Sequence, residues 1–421
     1  MTGTDPARPV VALIGALDTK GAEYAYLCSR FEDHGADTLL VDTGVLGHAS
    51  IPADVDRETV ARRGGAELAE LVRTAQRNDA MLIMASGAAA VVSDLVADDR
   101  IHAVMAIGGS NAGYVMAECS AQVPIGFPKI LVSTIASGDT RPYVRDTDLT
   151  LINSVVDING LNRVTRPILN NAVDACVAMA RSRAAHRDKS RARFPAAAAD
   201  ADLVAISMFG VTTPAAMAVQ HGLQARAIES VSFHCTGVGG RTLETLVRSG
   251  FIQAVADLTT TELADDLVGG DCSAGPTRLT AAADCGVPQV VSVGALDMVN
   301  FWGRPVPTEF SDRTLLPHNP TVTLMRTNPA ECAELGRRLA VKINRSTAPV
   351  AVLFPHRGLS ALSVPGGEFA DAEADAALFT ALRTHLRDDI DLHEFDTDIN
   401  DPVIAATAVE LLTRWLHKET R

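Results

Sequence analysis

Residues 10–21 read VVALIGALDTKG: five apolar residues, a glycine, and then a polar turn carrying Asp18, Thr19 and Lys20. A short apolar run that stops at a glycine reads as a buried strand, and the residues beyond it take up helical spacing. The same transition recurs along the chain. Strands are expected at Val10–Ile14, Thr38–Val41, Ala80–Met84, Ala103–Ile107 and Lys129–Ser133 in the first half. In the second half they are expected at Leu203–Met208, Ser230–Phe233, Gln253–Asp257, Gln289–Val293, Val322–Met325, Val350–Phe354 and Asp391–Phe395. Helical patterns separate most of them, which makes this an α/β protein with doubly wound, mainly parallel sheets.

Composition agrees with that reading. Of 421 residues, 47% are apolar and only 4% aromatic, which suits helices packed on a buried parallel sheet. With 51 acidic and 37 basic residues the formal net charge is −14, a field that repels phosphate backbones and excludes general nucleic-acid or anionic-membrane binding. Seven cysteines with no C-x-x-C pair argue against a disulfide framework and a zinc ribbon. The longest apolar run, Ala80–Val92, is too short to span a bilayer. These features predict a soluble, reduced, cytoplasmic protein. The basic stretch Ala180–Asp202 marks a boundary, giving a domain at 1–185, a linker at 186–201 and a domain at 202–421. VVALIGALD at Val10–Asp18 and VVSVGALD at Val290–Asp297 form an internal echo, suggestive of duplicated architecture.

Several helix ends need no function to explain them. Thr213-Pro214 opens a helix that Gly222 closes, Thr259 with Glu262 fits a capping box, and Gly275-Pro276 starts a helix that Gly286 ends.

In an open α/β sheet, ligands bind beyond the carboxyl ends of the strands. In the first half the loops there hold Asp18, Thr19 and Lys20, then Ser86 and Gly87, then Gly108, Gly109 and Ser110, then Ser137, Gly138, Asp139 and Thr140. Glycine lets a backbone approach a ligand closely, hydroxyls add donors, and each following helix start favours an anion. Together they point to a phosphate-bearing ligand, although each loop alone is ordinary turn chemistry. Lys20 offers a point charge to a phosphate, and Asp18, Asp42 or Asp139 offers a carboxylate to Mg²⁺. No P-loop, no G-x-S-x-G elbow and no H-E-x-x-H occurs, which removes those enzyme classes. In the second half, His234, Arg241, Asp257, Arg326 and His356 fall at strand ends and are the candidate catalytic groups. Cys235 beside His234 makes a poor nucleophile pair, because neighbours on a strand face opposite ways.

The strings GALDTKGAE, AIGGS, STIASGDT, NGLNRVTRPILNNA, MFGVTTP, GVGGRTLE, DLTTTELADDLVGG, SAGPTRLTAA, PQVVSVGALDMVNF and HNPTVTLMRT, in this order, resemble one family. It is the ATP-binding family typified by the tobamovirus resistance protein of tomato, and the likeness covers residues 8 to 405. The resemblance implies two Rossmann-like domains, ATP as ligand and a homodimer. It also implies that a barrel domain carried by the plant relative, and absent from this chain, would have to come from a separate partner. Three readings stay open: an ATP- and Mg²⁺-dependent enzyme that activates or phosphorylates a small acid between the domains, a nucleotide-gated binding module, and an enzyme for another phosphorylated or carboxylated metabolite.

Overall fold

The computed structural model describes residues 8–74, 77–185 and 202–419 and divides the chain into two compact units, Met1–Ala196 and Ala197–Arg421. In the first unit, β1 (Val10–Gly15) leads into α1 (Leu17–Asp33), and β2 (Asp37–Asp42) precedes α2 (Arg57–Arg63), α3 (Leu68–Thr74) and α4 (Arg77–Ala97). Next come β3 (Ala103–Gly108), α5 (Ser110–Gln122), β4 (Lys129–Ser133), the one-turn α6 (Arg141–Val144), β5 (Thr150–Asn153) and α7 (Thr165–Ala185). The sheet is parallel throughout, in the order β2-β1-β3-β4-β5. Side chains alternate across it. Val11, Leu13, Met105 and Val132 pack under α1 and α7, while Ala12, Ile14, Val104 and Leu131 pack under α2, α4 and α5. The chain leaves β1 toward β2 on one side and returns to β3 on the other, so a crevice opens between β1 and β3.

The second unit is wound the same way. β6 (Leu203–Met208), α8 (Thr213–Gln224), β7 (Glu229–His234), α9 (Val238–Arg248), β8 (Ala254–Thr259), α10 (Glu262–Val268), α11 (Ala281–Cys285) and β9 (Gln289–Gly294) come first. A small antiparallel sheet follows, made by β10 (Met298–Trp302), β11 (Leu315–Asn319) and β12 (Val322–Arg326) in the order β10-β12-β11. Then come α12 (Pro329–Ile343), β13 (Val350–Pro355), α13 (Ala372–His385), β14 (Asp391–Phe395) and α14 (Pro402–Glu419). The six-stranded parallel sheet runs β14-β13-β9-β8-β6-β7. Two Rossmann-like units are the result.

Several expectations are corrected. Ala80–Met84 is not a strand but part of α4, and Ser86 and Gly87 lie within that helix rather than at a strand end. A 13-residue run of Ala, Met, Leu, Ile and Val has no period that separates a buried strand from a buried helix. Gly87 serves packing: a Cβ there would stand 1.9 Å from the Val60 carbonyl oxygen on α2, and one at Gly64 would stand 2.1 Å from that of Ile83 on α4. By length and composition Asn78–Ala97 could cross a membrane, yet Met84, Ala85, Ala88 and Val92 are buried in the unit's core.

Val322–Met325 forms the centre of the antiparallel sheet instead of continuing the parallel one. The Val10 and Val290 echoes diverge, since the first runs into α1 and the second into a turn and β10. Gly222 lies inside α8, where a Cβ would meet Val409 of α14 at 2.8 Å, and α11 begins at Ala281 rather than Gly275. Gly286 does close α11, in the left-handed conformation. The expected linker 186–201 lies outside the described residues.

The α2–α4 contact predicts that Gly87→Ala costs about 1–3 kcal/mol by overpacking. Urea denaturation would report it as a lower midpoint for the first unit, while Ser86→Ala, at an exposed position, leaves that midpoint unchanged.

Candidate functional site

A cavity of about 620 Å³ opens at the carboxyl ends of β1 and β3. One side is polar backbone, Gly15-Ala16 running into α1 and Gly108-Gly109-Ser110 running into α5. Gly108 has φ +147°, a conformation that favours glycine. The other side is apolar, with Leu71 and Val72 from α3, Met81 and Met84 from α4, Val115 from α5 and Leu46 from the turn after β2. Glycine-lined backbone opposite an apolar wall is the ordinary build of a small-molecule site.

The first N–H groups of a helix have no partner within it and need an acceptor. In several places the protein supplies its own carboxylate, and three of these come from a separate element of the fold. Asp42, at the end of β2, accepts from Leu17 N–H at 3.0 Å and Gly44 N–H at 2.8 Å and so holds the start of α1; burial raises its pKa. Glu262 Oε1 accepts from Gly237 N–H at 2.7 Å and Gly240 N–H at 3.0 Å at the start of α9. Glu244 accepts from Leu279, Thr280 and Ala281 at 2.7 to 3.1 Å at the start of α11. The 13-residue α5 receives none. Its N-cap is Gly109, no side chain caps it, and Gly109 and Ser110 are exposed at the cavity.

Asp18 lines the same cavity. Its Oδ2 accepts from Leu46 N–H at 3.1 Å and Gly47 N–H at 3.0 Å, while its buried Oδ1 has no hydrogen-bond partner. Thr19 is exposed at the rim, and Lys20 contributes its stem, since its ammonium donates to the Ile158 carbonyl.

The structure thus brings Asp18, Thr19, Lys20, Gly108, Gly109 and Ser110 to one cavity. Ser86 and Gly87 are absent from its lining, as are Ser137, Gly138, Asp139 and Thr140. Ser137 hydrogen-bonds the Thr134 carbonyl within a 3₁₀ turn. Asp139 is exposed and grips Arg141 through Nε at 2.9 Å and Nη2 at 2.7 Å, and those bonds hold its pKa down to about 2. Asp18 and Asp139 therefore do not share this cavity as a pair of metal ligands.

In the second unit most of the candidate catalytic side chains are engaged. Asp257 makes a two-pronged ion pair with Arg278, at 2.5 and 2.6 Å, and is buried with it. Arg326 pairs with Asp375 at 2.6 Å and donates to the Phe369 carbonyl at 2.8 Å. Arg241 donates to the Ser273 carbonyl at 3.1 Å. His356 bonds Glu394 at 3.0 Å and packs against Phe354 and Phe379. His234 is exposed, its ring 5.3 Å from Phe209, with no side-chain hydrogen bond or ion pair among the described residues. Cys235 points the other way, buried beside Arg278, and burial raises its thiol pKa.

Sequence reasoning missed the centre of this network. Arg278 is fully buried, and Glu262 reaches its Nε at 2.6 Å instead of forming a capping box with Thr259. The available signal was charge: Glu244, Asp257 and Glu262 fall in the stretches GVGGRTLE and DLTTTELADDLVGG, and three carboxylates buried together call for a buried cation.

Residues 9–185 match the N-terminal domain, and residues 201–416 the C-terminal domain, of the family described as Uncharacterised protein family (UPF0261). A UPF0261 protein of Clostridium tetani is 40% identical over 97% of this chain and 99% of its own length. UPF0261 protein RA0729 of Rhizobium meliloti is 42% identical over 95% and 97%. The ToMV resistance protein Tm-1(GCR237) of Solanum lycopersicum is 39% identical over 73% of this chain and 40% of that protein. Among solved structures, an esterase domain from Rhodothermus marinus covers 52% of this chain and 89% of its own at 14% identity, with a TM-score of 0.29 that carries no argument.

Two outcomes follow for the buried charges. Arg278→Met strands Asp257 and Glu262 without a cation and costs about 3–5 kcal/mol, read by denaturant unfolding of the second unit. Asp265 is held by Cys272 N–H at 3.1 Å and the Asn300 amide at 2.7 Å, and burial pushes its pKa up to about 7. Because its folded value lies above the unfolded one, the contribution of Asp265 to stability is full below pH 4 and is lost as pH rises through 7. Asp265→Asn flattens that decline in a pH series of unfolding midpoints.

Proposed function

The chain belongs to the uncharacterised protein family UPF0261, and we propose that its first unit binds a nucleotide of the ATP class in the β1–β3 crevice. The observation that carries this reading is the start of α5. It is the helix terminus at the crevice that lacks an internal carboxylate, it is flanked by Gly108 and Gly109, and it faces an apolar wall. A phosphate chain supplies the missing acceptor and a base lies against Leu71, Val72, Met81 and Met84. Asp18 Oδ1, an acceptor with no donor, suits Mg²⁺ accompanying the phosphates. Asp18, Thr19, Lys20, Gly108, Gly109 and Ser110 make up the proposed binding set. The resemblance to the tomato protein's family supports ATP over other phosphates, and a homodimer belongs to the same reading. The match spans 40% of that protein, so its resistance activity is not carried over.

One observation favours a nucleotide-gated binding module over turnover. Asp257, Arg326, Arg241 and His356 are held in bonds within the second unit, and Asp257 is sealed against Arg278. His234 is then the free acid–base candidate for an enzyme that activates or phosphorylates a small acid.

Calorimetric titration with ATP and Mg²⁺, then with a non-hydrolysable analogue, alongside a phosphate-release assay, separates the readings. Binding without release supports the module, and binding with release that His234→Ala abolishes supports the enzyme. Gly109→Asp supplies α5 with the carboxylate that α1, α9 and α11 already have. A Cβ there meets nothing within 4 Å, so the fold tolerates it. ATP affinity is expected to fall at least tenfold in Gly109→Asp, with the thermal midpoint kept or raised, and to stay unchanged in Asp139→Asn. Unaltered affinity in Gly109→Asp would contradict the assignment.

A further inference from the structure

Adenine and guanine share a shape and two flat faces but carry inverted edges. The adenine N6 amine donates beside the N1 acceptor, whereas guanine O6 accepts beside the N1–H donor. A fixed polar group against that edge favours one purine and is left unpaired by the other. Sites built on such a group reject the mismatched analogue by about 10⁴-fold, while an apolar surface separates close analogues only weakly.

The polar side chains of the crevice are gathered on one side. Asp18, Thr19 and Lys20 stand on the first turn of α1, and Ser110 and Asn111 on the first turn of α5. Thr43 follows β2, its N–H donating to the Gly15 carbonyl. Two of these groups are already engaged, since Asp18 Oδ2 accepts from Leu46 and Gly47 N–H and the Lys20 ammonium donates to the Ile158 carbonyl. All of them lie with the glycine turns that open α1 and α5.

The facing wall differs in kind. Among the described residues that line it, Leu46, Leu71, Val72, Met81, Met84 and Val115, no side chain carries nitrogen or oxygen. Met81 and Met84 are three residues apart on one face of α4, and their backbone groups are spent in its hydrogen bonds. A thioether packs on an aromatic ring without demanding one edge pattern, and methionine-rich surfaces serve binders that accept more than one partner. The rim of the wall is wet, with Val72 57% and Leu46 86% exposed. A base can therefore lay its face on the thioethers while its edge stays in water, so neither purine buries an unpaired edge.

We propose that the crevice takes purine nucleoside triphosphates without telling adenine from guanine: the glycine turns and the start of α5 hold the phosphates, and the Met81–Met84 wall holds the face of either base. The proposal rests on the reading of the crevice as a nucleotide site and narrows it. The wall adds affinity through the area it covers and supplies nothing that separates the two bases.

The test is titration of the full chain with the Mg²⁺ complexes of ATP, GTP and inorganic tripolyphosphate, for the unaltered protein and for Met81→Ala. The thermal midpoint is measured in parallel, and Val72→Ala, at a more exposed position, gives the same readout should Met81→Ala fail to fold. ATP and GTP are expected to bind within about fivefold of each other and both at least about tenfold more tightly than tripolyphosphate. Met81→Ala is expected to weaken both purines by the same factor. A ratio of ATP to GTP affinity beyond fivefold in either direction overturns the proposal and leaves the nucleotide assignment standing. Nucleotides that gain less than tenfold over tripolyphosphate, or a wall variant that leaves purine binding unchanged or weakens one purine alone, also overturn it, since the base then lies elsewhere. An unaltered protein that binds none of the three overturns the nucleotide assignment itself and this proposal with it.

Discussion

Backbone N–H groups at the start of a helix require an acceptor, and how this protein provides one organises both units. Asp42 serves α1, Glu262 serves α9 and Glu244 serves α11. Each carboxylate comes from another element, so each also ties a helix start to a strand end or a neighbouring helix. In the second unit these ties converge on Arg278, whose guanidinium balances Asp257 and Glu262 in the interior. Charges so deeply buried are tolerated because every partner is present. The glycine-rich turn Gly237–Gly240, which has the composition of a phosphate loop, is filled by the protein's own Glu262.

The first unit departs from this pattern at the crevice. Asp42 holds α1 from within, yet α5 begins at a bare Gly109 beside an apolar wall. The asymmetry between Gly237–Gly240 and Gly108–Ser110 therefore separates a structural glycine turn from one available to a ligand. The Tyr24 hydroxyl reaches the same spot from below, accepting from Ile107 N–H and donating to the Ile14 carbonyl. Backbone geometry and helix electrostatics meet at the β1–β3 crevice.

Much of this was legible in the sequence, because Val10–Ile14 and Ala103–Ile107 are short apolar runs stopped by glycine, and that pattern is local. Asp18, Thr19, Lys20, Gly108, Gly109 and Ser110 followed from it, since strand ends carry the ligand loops in open sheets. Ser86 and Gly87 were misplaced because Ala80–Val92 is uniformly apolar and its glycine answers to the Val60 carbonyl across a helix crossing. Ser137–Thr140 looked like the other loops, but Asp139 satisfies itself with Arg141 two residues on. Tyr24, Glu262 and Arg278 were out of reach, for their partners lie 10 to 83 residues away and only the folded chain pairs them.

The most direct measurement is a crystal structure of the chain grown with Mg²⁺ and a non-hydrolysable ATP analogue. The account predicts phosphate density within hydrogen-bond distance of the Gly109–Ala112 amides and the base against Leu71, Val72 and Met84. Phosphate density at Ser137–Thr140, or at the Gly237–Gly240 turn with Glu262 displaced, would contradict it.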